Sequence, residues 1–223
     1  MKVTTDACLF GAWVAKELQS RTEAETKLLD LGAGTGLLSL MIAQANPMFT
    51  IEGIEIDKEC CEQSKENANR SVWKERITNH YGDAATFPYH KKYDVIVSNP
   101  PFYKNEWKSV NEKKNIAHHS QSLSLDELCS LIKKNLSGSG VFYLLLPYKR
   151  KTDIEILLKK ENLVLSKTMY VRQTTNHSYF RMMLAGSLKM DVPPVENEIA
   201  IKDAAEQYTP EFRALLKDYY ENF

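Results

Sequence analysis

Asn99, Pro100, Pro101 and Phe102 place an amide, a ring-fixed backbone carbonyl and an aromatic face directly after the apolar run "YDVIVS". This set suits chemistry at a planar nitrogen. An exocyclic amine or an amide nitrogen is a poor nucleophile because its lone pair is delocalised. The side-chain oxygen of Asn99 and the carbonyl of Pro100 can accept its two N–H hydrogens, which favours a pyramidal nitrogen and turns the lone pair towards an electrophile. Proline holds that carbonyl still in advance of the reaction. Phe102 offers a face on which a planar substrate can stack, worth about 1–3 kcal/mol where bases meet aromatic rings. The tetrapeptide alone does not decide the matter, since Asn-Pro-Pro also ends a strand for structural reasons: proline lacks an N–H and fixes φ.

The second constellation is "LLDLGAGTG". It lies after a strand and before a helix, where a glycine loop can meet a ligand at a helix N-terminus. Gly32, Gly34 and Gly36 follow Asp30, and their G-x-G-x-G spacing departs from the dinucleotide pattern G-x-G-x-x-G. The next strand, "FTIEGIEI", carries Glu55, nineteen residues after Gly36. A carboxylate there can accept hydrogen bonds from both ribose hydroxyls of an adenosine, each worth roughly 1.5–3 kcal/mol. Loop, Asp30 and Glu55 together point to a nucleoside-type ligand.

These residues need a scaffold of alternating strands and helices. From Lys27 the order is "KLLDLG" (strand), "TGLLSLMIAQA" (helix), "FTIEGIEI" (strand), a helix opened by Asp57, then the strands "ITNHYGD" and "YDVIVSN". A helix capped by Ser124 with Glu127, the buried strand "GVFYLLLP", and a helix capped by Thr152 with Glu155 follow. Two long strands, "LVLSKTMYVRQ" and "YFRMMLAGSL", then occur with only Thr175–Ser178 between them, so they should be antiparallel. The alternation predicts an α/β fold with a mostly parallel, doubly wound sheet and helices on both faces. "CLFGAWVAKEL" reads as an amphipathic N-terminal helix. Thr209 as N-cap and Pro210 as first helical residue open a terminal helix. The expected organisation is one domain over 1–223, with an N-terminal helical segment (1–20), a core (21–190) and a C-terminal extension (191–223).

Composition narrows the class. A chain of 223 residues with 43% hydrophobic residues can bury one sizeable core. No run of eighteen apolar residues exists and no signal-peptide pattern opens the chain, so a soluble cytoplasmic protein is expected. The cysteines (Cys8, Cys60, Cys61, Cys129) and five histidines lack zinc-site spacing, and no metal is expected. Formal charge is zero, yet it is unevenly spread. Lys149 to Arg181 carries eight bases against three acids, and the chain beyond Met190 eight acids against three bases. A basic face and ordinary solvated charge are both compatible with that pattern.

On Asp30–Gly36 and Glu55 the chain resembles the class I S-adenosylmethionine-dependent methyltransferases. The resemblance implies S-adenosyl-L-methionine as cofactor, a Rossmann-like seven-stranded sheet of order 3-2-1-4-5-7-6 with strand 7 antiparallel, and a contact between Asp83 of "GDAATF" and the adenine, although Asp83 also suits a turn. The N-P-P-F motif is shared by adenine-N6, RNA guanine-N2 and protein glutamine-N5 methyltransferases. "MKVTTDACLFGAW", "NPPF" and "YTPEFRALLKDYYENF" resemble one branch, the bacterial tRNA1(Val) adenine(37)-N6 methyltransferases, from Met1 to Phe223. That branch modifies the adenosine just 3′ of the anticodon, so the implied partner is the tRNA anticodon loop. Where it carries Gly-Thr-Asp-Gly this chain has Thr4-Thr5-Asp6-Ala7, and Thr5 and Asp6 would face the cofactor's methionine end. With an RNA substrate, Lys149–Lys151, Arg172, His177 and Arg181 become candidate phosphate contacts. His118 and His119 are either a surface pair or part of the substrate entrance. The sequence does not fix the oligomeric state; a monomer is the expectation.

Overall fold

The computed structural model describes residues 3–21, 25–101, 123–189 and 193–222. Its centre is an eight-stranded sheet in the order β3-β2-β1-β4-β5-β7-β6-β8. The strands are β1 (Thr26–Leu31), β2 (Phe49–Glu55), β3 (Ile77–Tyr81), β4 (Tyr93–Ser98), β5 (Leu136–Pro147), β6 (Val164–Thr174), β7 (Tyr179–Ser187) and β8 (Val195–Lys202). The helices are α1 (Thr5–Glu17), α2 (Leu37–Ala45), α3 (Lys58–Arg70), α4 (Leu125–Asn135), α5 (Lys151–Lys160) and α6 (Pro210–Leu216).

The first seven strands follow the expected order, with β7 antiparallel to both β5 and β6. The eighth is a correction to the expected count of seven: the C-terminal extension adds β8 at the edge, parallel to β6. Its first four residues, Val195–Glu198, are exposed, and only Ile199 and Ile201 reach the core. A strand buried at one end shows little alternation in sequence.

Both faces of the sheet are covered. On one, Leu9, Phe10 and Trp13 of α1, Met41 and Ile42 of α2, and Phe212 and Leu216 of α6 pack with Leu28, Val95 and Leu145. On the other, Leu128 and Ile132 of α4 and Ile154 and Leu158 of α5 pack with Leu29, Ile96 and Leu144. Nine consecutive residues of α1, Ala7–Ala15, are buried, so this is an enclosed helix rather than the amphipathic one its sequence suggests.

Helix starts follow the local chemistry in most cases. Asp57 accepts from the Cys60 N–H at 2.8 Å, Ser124 and Glu127 form a reciprocal capping box, and Thr209 accepts from the Phe212 N–H at 3.2 Å ahead of Pro210. Thr152 does not cap α5. A 3-10 turn, Tyr148–Arg150, runs straight from Pro147 into the helix, and Thr152 falls inside the first turn. No helix among the described residues is long and apolar enough to cross a membrane, and they contain no cluster of three or more metal-ligating side chains.

Candidate active site

The parallel strands β1, β2, β3 and β4 all end on one edge of the sheet, and the candidate residues lie along that edge. In the turn after β1, the N–H groups of Gly32 and Ala33 both donate to the Ile54 carbonyl, at 2.9 and 3.1 Å, which folds the loop over β2. Gly32, Gly34 and Gly36 have φ of 73°, 55° and 83°. A Cβ at any of the three would be strained, and Gly36 adopts this left-handed geometry as the N-cap of α2. A Cβ built on Gly32 would meet nothing within 4 Å, so the backbone there borders open space.

Glu55 closes the loop from the next strand. Its Oε2 accepts the Gly34 N–H at 2.7 Å and its Oε1 the Asp57 N–H at 2.8 Å. Each carboxylate oxygen retains a second lone pair for a ligand hydroxyl. The Glu55 carbonyl accepts the Gly82 N–H at 3.0 Å, which brings the neighbouring Asp83 to the same edge. Asp83 is exposed, and its Oδ1 accepts the Ala85 N–H at 2.9 Å. It thus acts as a turn residue after β3, with its carboxylate exposed.

Asp30 occupies a different environment, at 0% exposure under the loop. Its Oδ2 accepts from Ser39 Oγ at 2.8 Å, and its Oδ1 has no hydrogen-bond partner among the described residues. Burial pushes the carboxyl up from 3.8 to about 7; the Ser39 bond works against the rise and the Glu55 charge adds to it. An unsatisfied buried carboxylate oxygen beneath a glycine loop open to a ligand fits a cofactor that carries a hydrogen-bond donor. Ser39, nine residues on in α2, was not evident from sequence, because its role depends on how the helix folds back over β1.

The amide of Asn99 follows Ser98, whose Cα partner in the β1–β4 ladder is Leu31, the residue before Gly32. Asn99 and the glycine loop therefore leave adjacent strands at the same level, roughly 4.8 Å apart at the strand spacing. Ser98 Oγ donates to the Leu31 carbonyl at 2.7 Å and locks the two ends together. Asn99 is half-buried, Pro100 buried and Pro101 exposed. Phe102, His118 and His119 lie outside the described residues.

The expected phosphate contacts are placed differently from what their local sequence suggests. The Arg181 Nε–H donates to Asp6 Oδ2 at 2.8 Å, a partly buried pair that ties the start of α1 to β7. That contact gives Asp6 a protein partner. Arg172 pairs with Glu198 at 3.2 Å, and Lys151 stands 3.9 Å from both Glu155 and Glu196. The His177 ring shares a hydrogen bond with Thr174 Oγ1 at 2.6 Å. The basic stretch and part of the acidic C-terminal stretch thus meet across β6 and β8.

A family model for the methyltransferase small domain matches residues 12–128. A tRNA1(Val) (adenine(37)-N6)-methyltransferase from Dyadobacter fermentans is 36% identical, over 100% of this chain and 92% of the relative. One from Pseudoalteromonas translucida is 34% identical over 99% and 91%. Among solved structures, a predicted O-methyltransferase from Agrobacterium tumefaciens superposes with a TM-score of 0.71 at 12% identity, covering 95% of each chain. A glycopeptide N-methyltransferase complexed with sinefungin gives 0.58 at 13%, covering 81% of this chain and 87% of the other. At those identities the two structures speak for the fold alone.

Proposed function

The chain belongs to the tRNA1(Val) (adenine(37)-N6)-methyltransferase family, and from that premise we infer that it methylates N6 of adenine 37, beside the anticodon of tRNA1(Val). The observation that carries the reading is the common level of Asn99 and the glycine loop at the ends of β4 and β1. It supports reading Asn99 as the amide that grips the substrate nitrogen and the glycine loop, one strand away, as the nucleoside site.

The cofactor is S-adenosyl-L-methionine, which when bound supplies a sulfonium-activated methyl group. Asp30, Gly32, Gly34 and Gly36 line its loop, Glu55 takes the ribose hydroxyls, and Asp83 stands at the adenine. The free Oδ1 of Asp30 and the open space at Gly32 support this assignment. Asn99 Oδ1 and the Pro100 carbonyl accept the two hydrogens of the adenine amine and hold its lone pair towards the cofactor loop. Pro101 stiffens the turn, and Phe102 stacks on the base. Acceptors set in place before reaction require no reorganisation as charge develops, which is why they act mainly on the transition state. An anticodon-loop base is already outside a duplex, so turning it into the site costs a few kcal/mol at most.

The test is methyl transfer from labelled S-adenosyl-L-methionine to separate pools of unmodified tRNA, ribosomal RNA and cellular protein, followed by digestion and mass spectrometry. N6-methyladenosine at position 37 of tRNA1(Val) is the expected product. N2-methylguanosine in ribosomal RNA, or label in glutamine of a protein, would keep the nitrogen chemistry and overturn the substrate.

A further inference from the structure

The carboxyl-end edge of the sheet continues beyond Asn99. Pro147, the last residue of β5, is the Cα partner of Arg181 on β7; Tyr179 on β7 partners Arg172 on β6; Arg172 partners Ala200 on β8. Thr168 of β6 is level with Ser98 at the end of β4, three strand spacings away, and Arg172 lies four residues further along, so it stands roughly 20 Å from the end of β4. Three tyrosine rings cluster here, with centroids 5.7 Å apart for Tyr148 and Tyr170, 5.3 Å for Tyr148 and Tyr179, and 5.0 Å for Tyr170 and Tyr179. The Arg172 guanidinium lies 4.1 Å over the Tyr179 ring, and Lys151 Nζ 4.9 Å over that of Tyr170. Tyr170 is buried and backs the cluster, while the half-buried Tyr148 and Tyr179, with Arg172 and Lys151, form the kind of aromatic and cationic set that grips single-stranded RNA by stacking and phosphate contact.

Two carboxylates of one strand hold this cluster. Glu198 pairs with Arg172 Nη2 at 3.2 Å and accepts the Tyr179 hydroxyl. Glu196 accepts the Tyr170 hydroxyl at 2.8 Å and faces Lys151 at 3.9 Å. Both glutamates belong to the exposed half of β8, where they add nothing to the core. We propose that Glu196 and Glu198 stand in for RNA phosphates: they keep this surface ordered and its general RNA affinity low, and an RNA lying across the catalytic edge displaces them. The assignment rests on the RNA substrate inferred above. Exposed ion pairs are weak enough to exchange in this way.

Counterions give the proposal a measurable signature. An RNA phosphate that takes Arg172 from Glu198 leaves a bare carboxylate, so the exchange adds little net salt dependence. With Glu198→Gln the same contact should add about 0.7 to the slope of log affinity against log salt. The experiment is a binding titration of the whole protein across a salt series, with a labelled anticodon stem–loop and with an unrelated single strand of the same length. Glu198→Gln should bind both RNAs about two- to fivefold more tightly, the range an exposed pair supports, and with the steeper slope. Adding Arg172→Gln should remove the gain. Unchanged or weaker binding by Glu198→Gln, with a melting temperature equal to that of the parent, overturns the proposal. If Glu198→Gln melts early, Glu196→Gln decides on the same criteria, since it releases the separate Lys151 and Tyr170 contacts. A parent protein that puts no methyl on tRNA refutes the functional reading itself. One that methylates tRNA while its glutamine variants bind like the parent refutes only the role of β8.

Discussion

The buried carboxyl of Asp30 makes stability depend on pH in a direction opposite to that of most carboxylates. Its Oδ1 is unpartnered among the described residues, and burial raises it from 3.8 to about 7. Between those two values the native state holds a proton that the unfolded chain has released. Stability from this group is therefore complete below about pH 4 and is lost as pH rises through 7. At about 1.4 kcal/mol for each tenfold change, the whole loss is of order 4 kcal/mol, of which about 2 kcal/mol falls between pH 5.5 and 7.5. The perturbation is Asp30→Asn, which cannot ionise. Its amide nitrogen carries two N–H donors where Ser39 Oγ can accept at most one, which costs about 1–3 kcal/mol, so the pH dependence is the informative quantity rather than the absolute stability. Urea unfolding of both proteins without ligand across that interval should show the variant gaining about 2 kcal/mol relative to the parent as pH rises. Parallel curves would show an ordinarily ionised carboxylate and refute the reasoning. Since a ligand that gives Oδ1 a donor must favour the charged carboxylate, cofactor binding should also release a proton near pH 6, readable by calorimetry in buffers of different ionisation enthalpy.

The other residues of the site separate by role. Asn99→Ala should lower kcat by about 10²–10³-fold with cofactor affinity changed only a few-fold, and single-turnover methyl transfer that stays near the parent rate would rule out the acceptor mechanism. Glu55→Ala removes the acceptor of both the Gly34 and Asp57 N–H groups, so cofactor Kd measured by calorimetry should rise roughly ten- to hundredfold; a change within about threefold would count against a ribose contact. Gly53→Ala would set a methyl 2.2 Å from Asn79 Oδ1 and 3.0 Å from the Ala33 Cβ of the cofactor loop. It should cost about 1–3 kcal/mol in denaturant unfolding and weaken cofactor binding together with stability, whereas a variant as stable as the parent would mean that Asn79 swings aside freely.

The parallel sheet was legible because continuous apolar runs such as Val95–Val97 alternate with segments opened by Asp57 and Ser124, and such signals are local. The same holds for Gly32–Gly36 and Glu55, whose spacing follows from one strand-helix-strand unit. What could not be read depends on distant pairing. β8 escaped notice because Val195–Glu198 bury nothing. The counts of acids and bases were correct along the chain, but only the pairing of β6 with β8 brings Glu198 within 3.2 Å of Arg172 and Glu196 within 3.9 Å of Lys151. Thr152 has the right residue type for a cap, yet Pro147 starts a turn that carries the helix past it. The orphaned oxygen of Asp30 is likewise a property of the packed interior and leaves no trace in residue type or spacing.

The burial of α1 under α6 also sets a timetable for biosynthesis. The apolar helix Thr5–Glu17 is translated about 200 residues ahead of Phe212 and Leu216, which complete its cluster. At roughly 5–20 residues per second the ribosome needs on the order of 10–40 s to deliver them. For that interval Phe10 and Trp13 have no final packing partner from α6, so the nascent chain is a natural client for chaperones that hold exposed apolar helices.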